Sequence, residues 1–550
     1  MSLKPLDGMA IPADTVCVAR AIFPNGDNIS LRMRDELGSI FKDEQFQELF
    51  GRRGKPAESP GRLALVTLLQ FAEDLTDREA ADAVRTRIDW KYALGLELDD
   101  AGFHYSALCK FRARFLDGGL ETQLFDQLLD ILKERQLLTE KGKQRTDSTH
   151  ICGAIRTVNR LELVGETLRQ ALEVLAQLAP EWVQAVAAAE WYERYGKPVY
   201  RFKWPSKPEE REENFRVIGA DGLALLKAVY EDAEREWLRH IPAVNVLRQV
   251  WIQQFYIHDE QLQLRDPQET PPASLTIVSL YDPGARFGRK RDTSWAGYRV
   301  YLTETCEADK PKLITHVETR PAPEQDALAT MDIQQALIEK GFMPTQHLVD
   351  GAYTSADLII TSKQEHGINL VGPLKPGSCW QANTEEAFEV DAFAIHWEQE
   401  TVTCPAGRQS HNWKEGRDRH GKPVINVYFQ RNDCQPCPLK PRCTKHKTSG
   451  RRLTLRPQAA HEILQTQRVF QQTKDYRELY ALRSGVEGVI SRAAYTLGMR
   501  RARYRGLTKV HFQHLMTAAA VNLRQAIDWF LGVPTATTRK THFAVLAPTQ

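Results

Sequence analysis

Between residues 145 and 374, short β-branched runs alternate with amphipathic helical stretches, which confines the chain to an α/β architecture built on a sheet. Strands are predicted at 145–152 (Arg-Thr-Asp-Ser-Thr-His-Ile-Cys), 275–281, 297–304, 312–319, 346–350 and 368–374. Helices are predicted over 326–340, ended by Gly341 and Pro344, and from Ser355 onward. With 275–281 set aside as an edge segment, the order is strand, two strands, helix, strand, helix, strand. Two stretches interrupt it. From about 155 to 270, Leu, Val, Ala and Trp recur every three to four residues on either side of the Pro- and charge-rich segment 197–214, which predicts an all-helical insert. From 377 to 456 the chain is basic and carries cysteines.

Residues 1–140 predict a helical domain. After a polar leader, apolar residues fall at helical spacing over 61–75, and Thr76 and Glu79 form a capping box for a helix running through Trp90 and Tyr92 to Leu98. A third helix near Ser106 carries Lys110, Arg112 and Arg114, which suits a DNA-binding helix-turn-helix module and equally a bundle used for dimerisation or packing. A long helical pattern runs from 459 into the 490s, so 141–376 and 457–532 form one α/β domain, and 533–550 reads as a loose tail.

At 42% hydrophobic and 26% charged, a 550-residue chain is neither disordered nor a small stapled scaffold. No run approaches the ~18 unbroken apolar residues of a membrane span. The first residues lack the order of a secretory signal, and a cytoplasmic protein is expected. The formal charge is only +2, but Lys and Arg outnumber Asp and Glu thirteen to three over 404–456 and seven to one over 483–509. Such segregation suits a polyanion-binding face, or solvated loops. Of nine cysteines, Cys17, Cys109, Cys152, Cys306 and Cys379 stand singly and read as small buried residues.

Three acids attract notice. Asp147 lies within the first strand, and Asp350 ends a later one, at the carboxyl edge where α/β sites form. Tyr480, Arg483 and Glu487 fall at i, i+3 and i+7, on one helical face continued by Ser491, and the flanking Gly485 and Gly488 suggest close approach of another surface. Carboxylates from two strands and a helix suit a pair of hard divalent cations over a phosphodiester. No Walker loop, Rossmann fingerprint or Ser/His/Asp arrangement competes with them.

These residues carry a resemblance. Asp147 in Thr-Asp-Ser-Thr, Asp350 in Leu-Val-Asp-Gly-Ala-Tyr353 and Glu487 in Tyr-x2-Arg-x3-Glu resemble the catalytic triad of bacterial DDE insertion-sequence transposases. The chain is similar to the group labelled eleven-eighty-two, within the broader group with an InsH-type N-terminal domain. Supporting stretches are Ser279-Leu-Tyr-Asp282-Pro-Gly-Ala-Arg286 with Lys290, Trp295-x-Gly-Tyr298, Gly498-Met-Arg-Arg501-Ala-Arg-Tyr-Arg505-Gly-Leu-Thr-Lys509, Leu75-Thr-Asp-Arg-Glu-Ala-Ala81 and Asp89-Trp-Lys-Tyr-Ala-Leu-Gly95, so the likeness runs from about residue 30 to 530. It implies an RNase H-like mixed sheet with flanking helices, and Asp147, Asp350 and Glu487 as ligands of two Mg²⁺ or Mn²⁺ ions. The family often places a Lys seven positions after the Glu, where this chain has Ala494; Arg492 or Arg500 could substitute.

Further DNA contacts are expected from Tyr480 and Arg483, from the basic run Arg500, Arg501, Arg503, Arg505 and Lys509, and from Arg286, Lys290, Trp295 and Tyr298. For the last set, a hairpin whose Trp and Tyr simply pack is the alternative. Cys404, Cys434, Cys437 and Cys443, with one C-x2-C, suggest a structural zinc or a former one, with His446 as a substitute ligand. The expected activity is binding of terminal inverted repeats, cleavage at the element ends and joining of 3′-hydroxyls to target DNA, by at least a homodimer when the ends are synapsed. A repeat-binding repressor without catalysis and a metal-dependent nuclease without joining are the alternatives.

Overall fold

Thr146, Thr149 and Ile151 favour extended backbone, and β1 (Lys143–Cys152) forms around them. The structure, a computed structural model, describes residues 2–5, 9–51, 53–155, 158–197, 207–374, 380–384 and 386–534. Cys379 and the tail from Thr535 onward lie outside the described residues. The chain divides into two units, and β1 contributes to both. The first holds the described residues of Met1–Thr139, Asp147–Gln325 and Val486–Gln550; the second is Glu140–Thr146 with Asp326–Gly485.

In the first unit, helices open where side chains satisfy the free N–H groups of their first turns. Ser59 caps Pro60–Ala72, and Thr76 with Glu79 forms the expected capping box for Asp77–Thr86. That helix does not continue to Leu98: it stops at Arg87, Ile88–Leu94 follows, and Gly95 closes it in the left-handed region. The leader is not featureless either. It forms Ala13–Ile22 and Ile29–Leu37, the second capped by Asn28 and burying Leu31 and Met33. Ser106–Asp117 is the basic helix, yet Arg112 is only 7% exposed and bonds Asp77, so it faces inward.

The helix Leu507–Phe530 is buried along most of its length, lies against β6 and the N-terminal helices, and meets them through Phe115 and Phe512, 5.9 Å apart. The N-terminal helices therefore share a core with the C-terminal helix.

The insert consists of Arg160–Leu178, Pro180–Val186, Ala189–Tyr195, Pro208–Glu231 and Pro242–Gln254, ending in a small hairpin of β2 (Phe255–His258) and β3 (Gln261–Leu264). Leu168, Leu225, Val229, Leu247 and Trp251 form its core. The expected strand at 275–281 is absent. Ile277 packs into the insert core instead, and the Gln253 side chain takes the place of a neighbouring strand, donating to the Ile277 carbonyl (3.1 Å) and accepting from its N–H (2.9 Å). Next come β4 (Arg286–Lys290), β5 (Thr293–Thr305) and β6 (Ile314–Pro321), an antiparallel run with β1 beside β5.

In the second unit, Lys143, Gln144 and Arg145 of β1 pair in parallel with β7 (Gln346–Leu348), which pairs in parallel with β8 (Asn369–Val371). Asp326–Glu339 and Ala356–His366 are the connecting helices, the second capped by Ser355 as expected. The cysteine-bearing segment holds two small antiparallel sheets, β9 (Ala394–His396) with β10 (Thr401–Thr403), and β11 (Asn412–Arg417), β12 (Pro423–Tyr428) and β13 (Arg452–Leu455).

Asn522 donates to the Ile314 carbonyl and accepts from the Ile314 N–H, both at 2.7 Å and buried. Asn522→Ala would strand both backbone groups, so urea unfolding of the variant is expected to show a loss of about 2–6 kcal/mol, ~1–3 for each unsatisfied group. An unchanged unfolding midpoint would contradict this account.

Candidate functional site

Asp147 is half-buried on β1, and its Oδ1 accepts the Ser148 N–H at 2.7 Å. Beyond it, the strand end is stitched to the basic run. The Cys152 N–H donates to the Arg500 carbonyl and the Ala502 N–H to the Cys152 carbonyl, both at 2.8 Å. Arg500 Nε donates to Thr149 Oγ1 (3.2 Å) and Arg505 Nε to the Ala154 carbonyl (3.1 Å). Burial first, then the Arg500 and Lys290 cations, hold the His150 imidazole below its usual value, so this corner of the first unit is electropositive.

Asp350 lies two residues past β7, at the carboxyl edge, and its Oδ1 accepts the Ala352 N–H. The Val349 N–H pairs with the Val371 carbonyl (2.9 Å) and the Tyr353 N–H with the Asp350 carbonyl (3.1 Å), so the turn is held from both sides.

Glu487 is exposed on the first turn of Gly485–Thr496, whose Val486, Val489, Ile490 and Ala493 face inward. The unbroken helix expected from 459 is interrupted. It comprises Gln458–Gln471, then Lys474–Ala481, then a 3₁₀ turn at Leu482–Ser484. Tyr480, Arg483 and Glu487 therefore do not lie on one α-helical face, because the tighter turn rotates the chain between them. The break has a partner: Arg145 Nη1 donates to the Leu482 carbonyl. Gly485 does meet a close surface, since a Cβ there would press on that same guanidinium, whereas a Cβ at Gly488 would meet nothing within 4 Å. Tyr480 stacks on Tyr476, with ring centroids 5.5 Å apart.

Several expected DNA contacts are internal. Trp295 is 5% exposed and donates to the Tyr298 carbonyl; Tyr298 is fully buried with its hydroxyl on Asp282 at 2.6 Å, so neither ring can stack on a nucleotide. Arg286 donates to the carbonyls of Ser274, Pro283 and Ala285. Arg503 bonds Asp74 and the Leu75 carbonyl. In contrast, Lys290, Arg492, Arg501, Arg505 and Lys509 are exposed. The single cysteines also depart from expectation: Cys306 is buried, but Cys17, Cys109 and Cys152 are exposed.

Cys404, Cys434, Cys437 and Cys443 converge on one cavity of about 30 Å³, with Phe388, Phe429 and Leu439. The Arg451 N–H donates to Cys434 Sγ at 3.4 Å, and burial pushes the Cys443 thiol up to about 11, helped by the other three sulfurs and opposed by Arg451. His446 is exposed and is not among the lining residues. No group of three or more His, Cys, Asp or Glu among the described residues is already arranged to hold a metal ion. Nor is any helix among them long and apolar enough to cross a membrane.

Nothing in the sequence singles out Arg145, which the structure buries on β1 with Gln144 and Thr146. A nearby phosphate would offset the cations around His150, so its imidazole is expected to titrate below the ordinary range in the free protein and higher with duplex DNA bound, as followed by NMR. An unchanged titration would place phosphate elsewhere.

Residues 403–527 match the family model described as Transposase DDE domain, and residues 20–114 match the one described as Transposase domain (DUF772). No curated protein matches the chain. The DDE match spans the cysteine cluster and Glu487; with it, the mixed sheet and flanking helices are those of an α/β RNase H-like fold.

Proposed function

We propose that this chain is a DDE-domain transposase that binds the terminal inverted repeats of an insertion sequence, cuts at the element ends and joins the freed 3′-hydroxyls to target DNA. The observation that carries this reading is the pairing of the strand end beyond Asp147 with the basic run that follows the Glu487 helix. A duplex held along the exposed cations of that run would lie beside the strand that carries Asp147.

Asp147, Asp350 and Glu487 would hold the ions; an all-carboxylate donor set suits Mg²⁺ or Mn²⁺. A metal pair would lower the pKa of the attacking water or 3′-hydroxyl and stabilise the leaving oxygen. Ser148 and Ala352 orient two of the carboxylates through their N–H groups. Arg492, exposed on the Glu487 helix, is the nearest candidate for the cation missing at Ala494, while Arg500 is partly committed to Thr149. Both steps are in-line displacements at phosphorus: the nucleophile's proton leaves, the new P–O bond forms, and the departing oxygen takes a proton. At least a dimer is needed to hold two ends together.

Glu487→Gln and Asp350→Ala are each expected to lower end cleavage and joining by at least about a hundredfold with DNA affinity retained, in an assay with labelled end DNA and Mg²⁺. Full activity in either variant would sink the assignment. Tight binding without cut product from the wild type, in Mg²⁺ or Mn²⁺, favours the repressor reading, and cut product without joining favours a nuclease.

A structural zinc belongs to the same proposal, supported by the four thiols around a cavity large enough for one ion. Binding would have to draw those thiols inward. Elemental analysis is expected to give one zinc per chain, and chelation to lower Tm; zinc-free protein whose Tm does not respond to added zinc would refute it.

A further inference from the structure

We propose that Arg145 is a positioning residue that sets where the Glu487 helix begins, and through it the place of the Glu487 carboxylate. The proposal rests on the transposase reading of the acids.

Arg145 is 6% exposed on β1 and is in register with Leu348 of β7. Two residues beyond Leu348 stands Asp350. The guanidinium donates to the Leu482 carbonyl in the 3₁₀ turn, and Gly485, the first residue of the Glu487 helix, lies so close that any Cβ would collide with it. The last carbonyls of a helix favour a cation, and the Leu482 carbonyl takes this one in addition to the Gly485 N–H. Arg145 thus caps the end of Lys474–Ala481 and serves as the stop against which the next helix starts. A slip of that start by one residue would turn Glu487 by about 100° and move it ~1.5 Å along the axis, enough to remove a carboxylate from a metal ion. A lysine could supply the charge but not the planar fork that also fits under Gly485. Gly485 leaves the guanidinium the room that a Cβ would take, and a side chain there would push the guanidinium aside.

The test compares wild type, Arg145→Lys, Arg145→Ala and Gly485→Ala by two readouts. In hydrogen exchange, amides of residues 486–492 are expected to exchange about tenfold faster or more in Arg145→Ala, as for loss of a charge-assisted hydrogen bond. In end cleavage, half-maximal rate should require several-fold more Mg²⁺, with metal-free DNA affinity unchanged and Arg145→Lys intermediate. Unchanged exchange, or Arg145→Ala cleavage that saturates at the wild-type Mg²⁺ concentration, overturns the proposal. If Arg145→Ala fails to fold, Gly485→Ala, which keeps the guanidinium but displaces it, decides by the same readouts. Absence of cleavage by the wild type removes the transposase reading, and the exchange result still decides whether Arg145 fixes the helix start.

Discussion

A buried amide on the C-terminal helix organises the first unit. Asn522 bonds both backbone groups of Ile314, so Leu507–Phe530 can neither slide nor rotate against β6 without leaving polar atoms unpaired in the core. One turn of the same helix holds the basic run: Gln513 accepts from the Arg503 N–H (2.7 Å) and donates to the Arg501 carbonyl (2.8 Å). Phe512, beside it, packs on Phe115 of the N-terminal helices. Residues distant in sequence thus take their place from a single rod, and the backbone of 500–502 arrives at the end of β1 already shaped to pair with it.

Local chemistry was legible in the sequence, and relations between distant segments were not. Thr76 with Glu79 and Ser355 announce helix starts because a cap acts within three residues. Asp350 falls just past its strand, close to where the sequence ends it, for the same short-range reason. The missing strand at 275–281 depends on an amide more than twenty residues away, and the 3₁₀ break depends on a guanidinium more than three hundred away. Neither leaves a local trace. Side-chain type also misleads about direction: Trp295 and Tyr298 alternate along a strand as surface aromatics could, yet their hydrogen bonds close inside the protein.

The cations around the basic run divide by use. Arg503 and Arg112 fasten segments together: Arg503 grips the turn at Asp74, and Arg112 bonds Asp77 and lies over the Tyr504 ring. Lys290, Arg492, Arg501, Arg505 and Lys509 stay at the surface. A count of basic residues overstates the face available to a polyanion; the part that remains is held firmly by the part that does not.

The helical insert is sealed at its base. Arg160, at its first helix, donates to the Gln254 side chain (2.5 Å) and the Arg265 carbonyl (2.8 Å), tying the start of the excursion to its end, while Gln253 closes the return segment at Ile277. A protrusion whose two ends are clasped together presents the host sheet with a fixed gap whatever its length, and the entropy of closing a longer loop rises only logarithmically. The width of that gap is therefore set by Arg160, Gln253 and Gln254 at the base and not by the length of the helices beyond them.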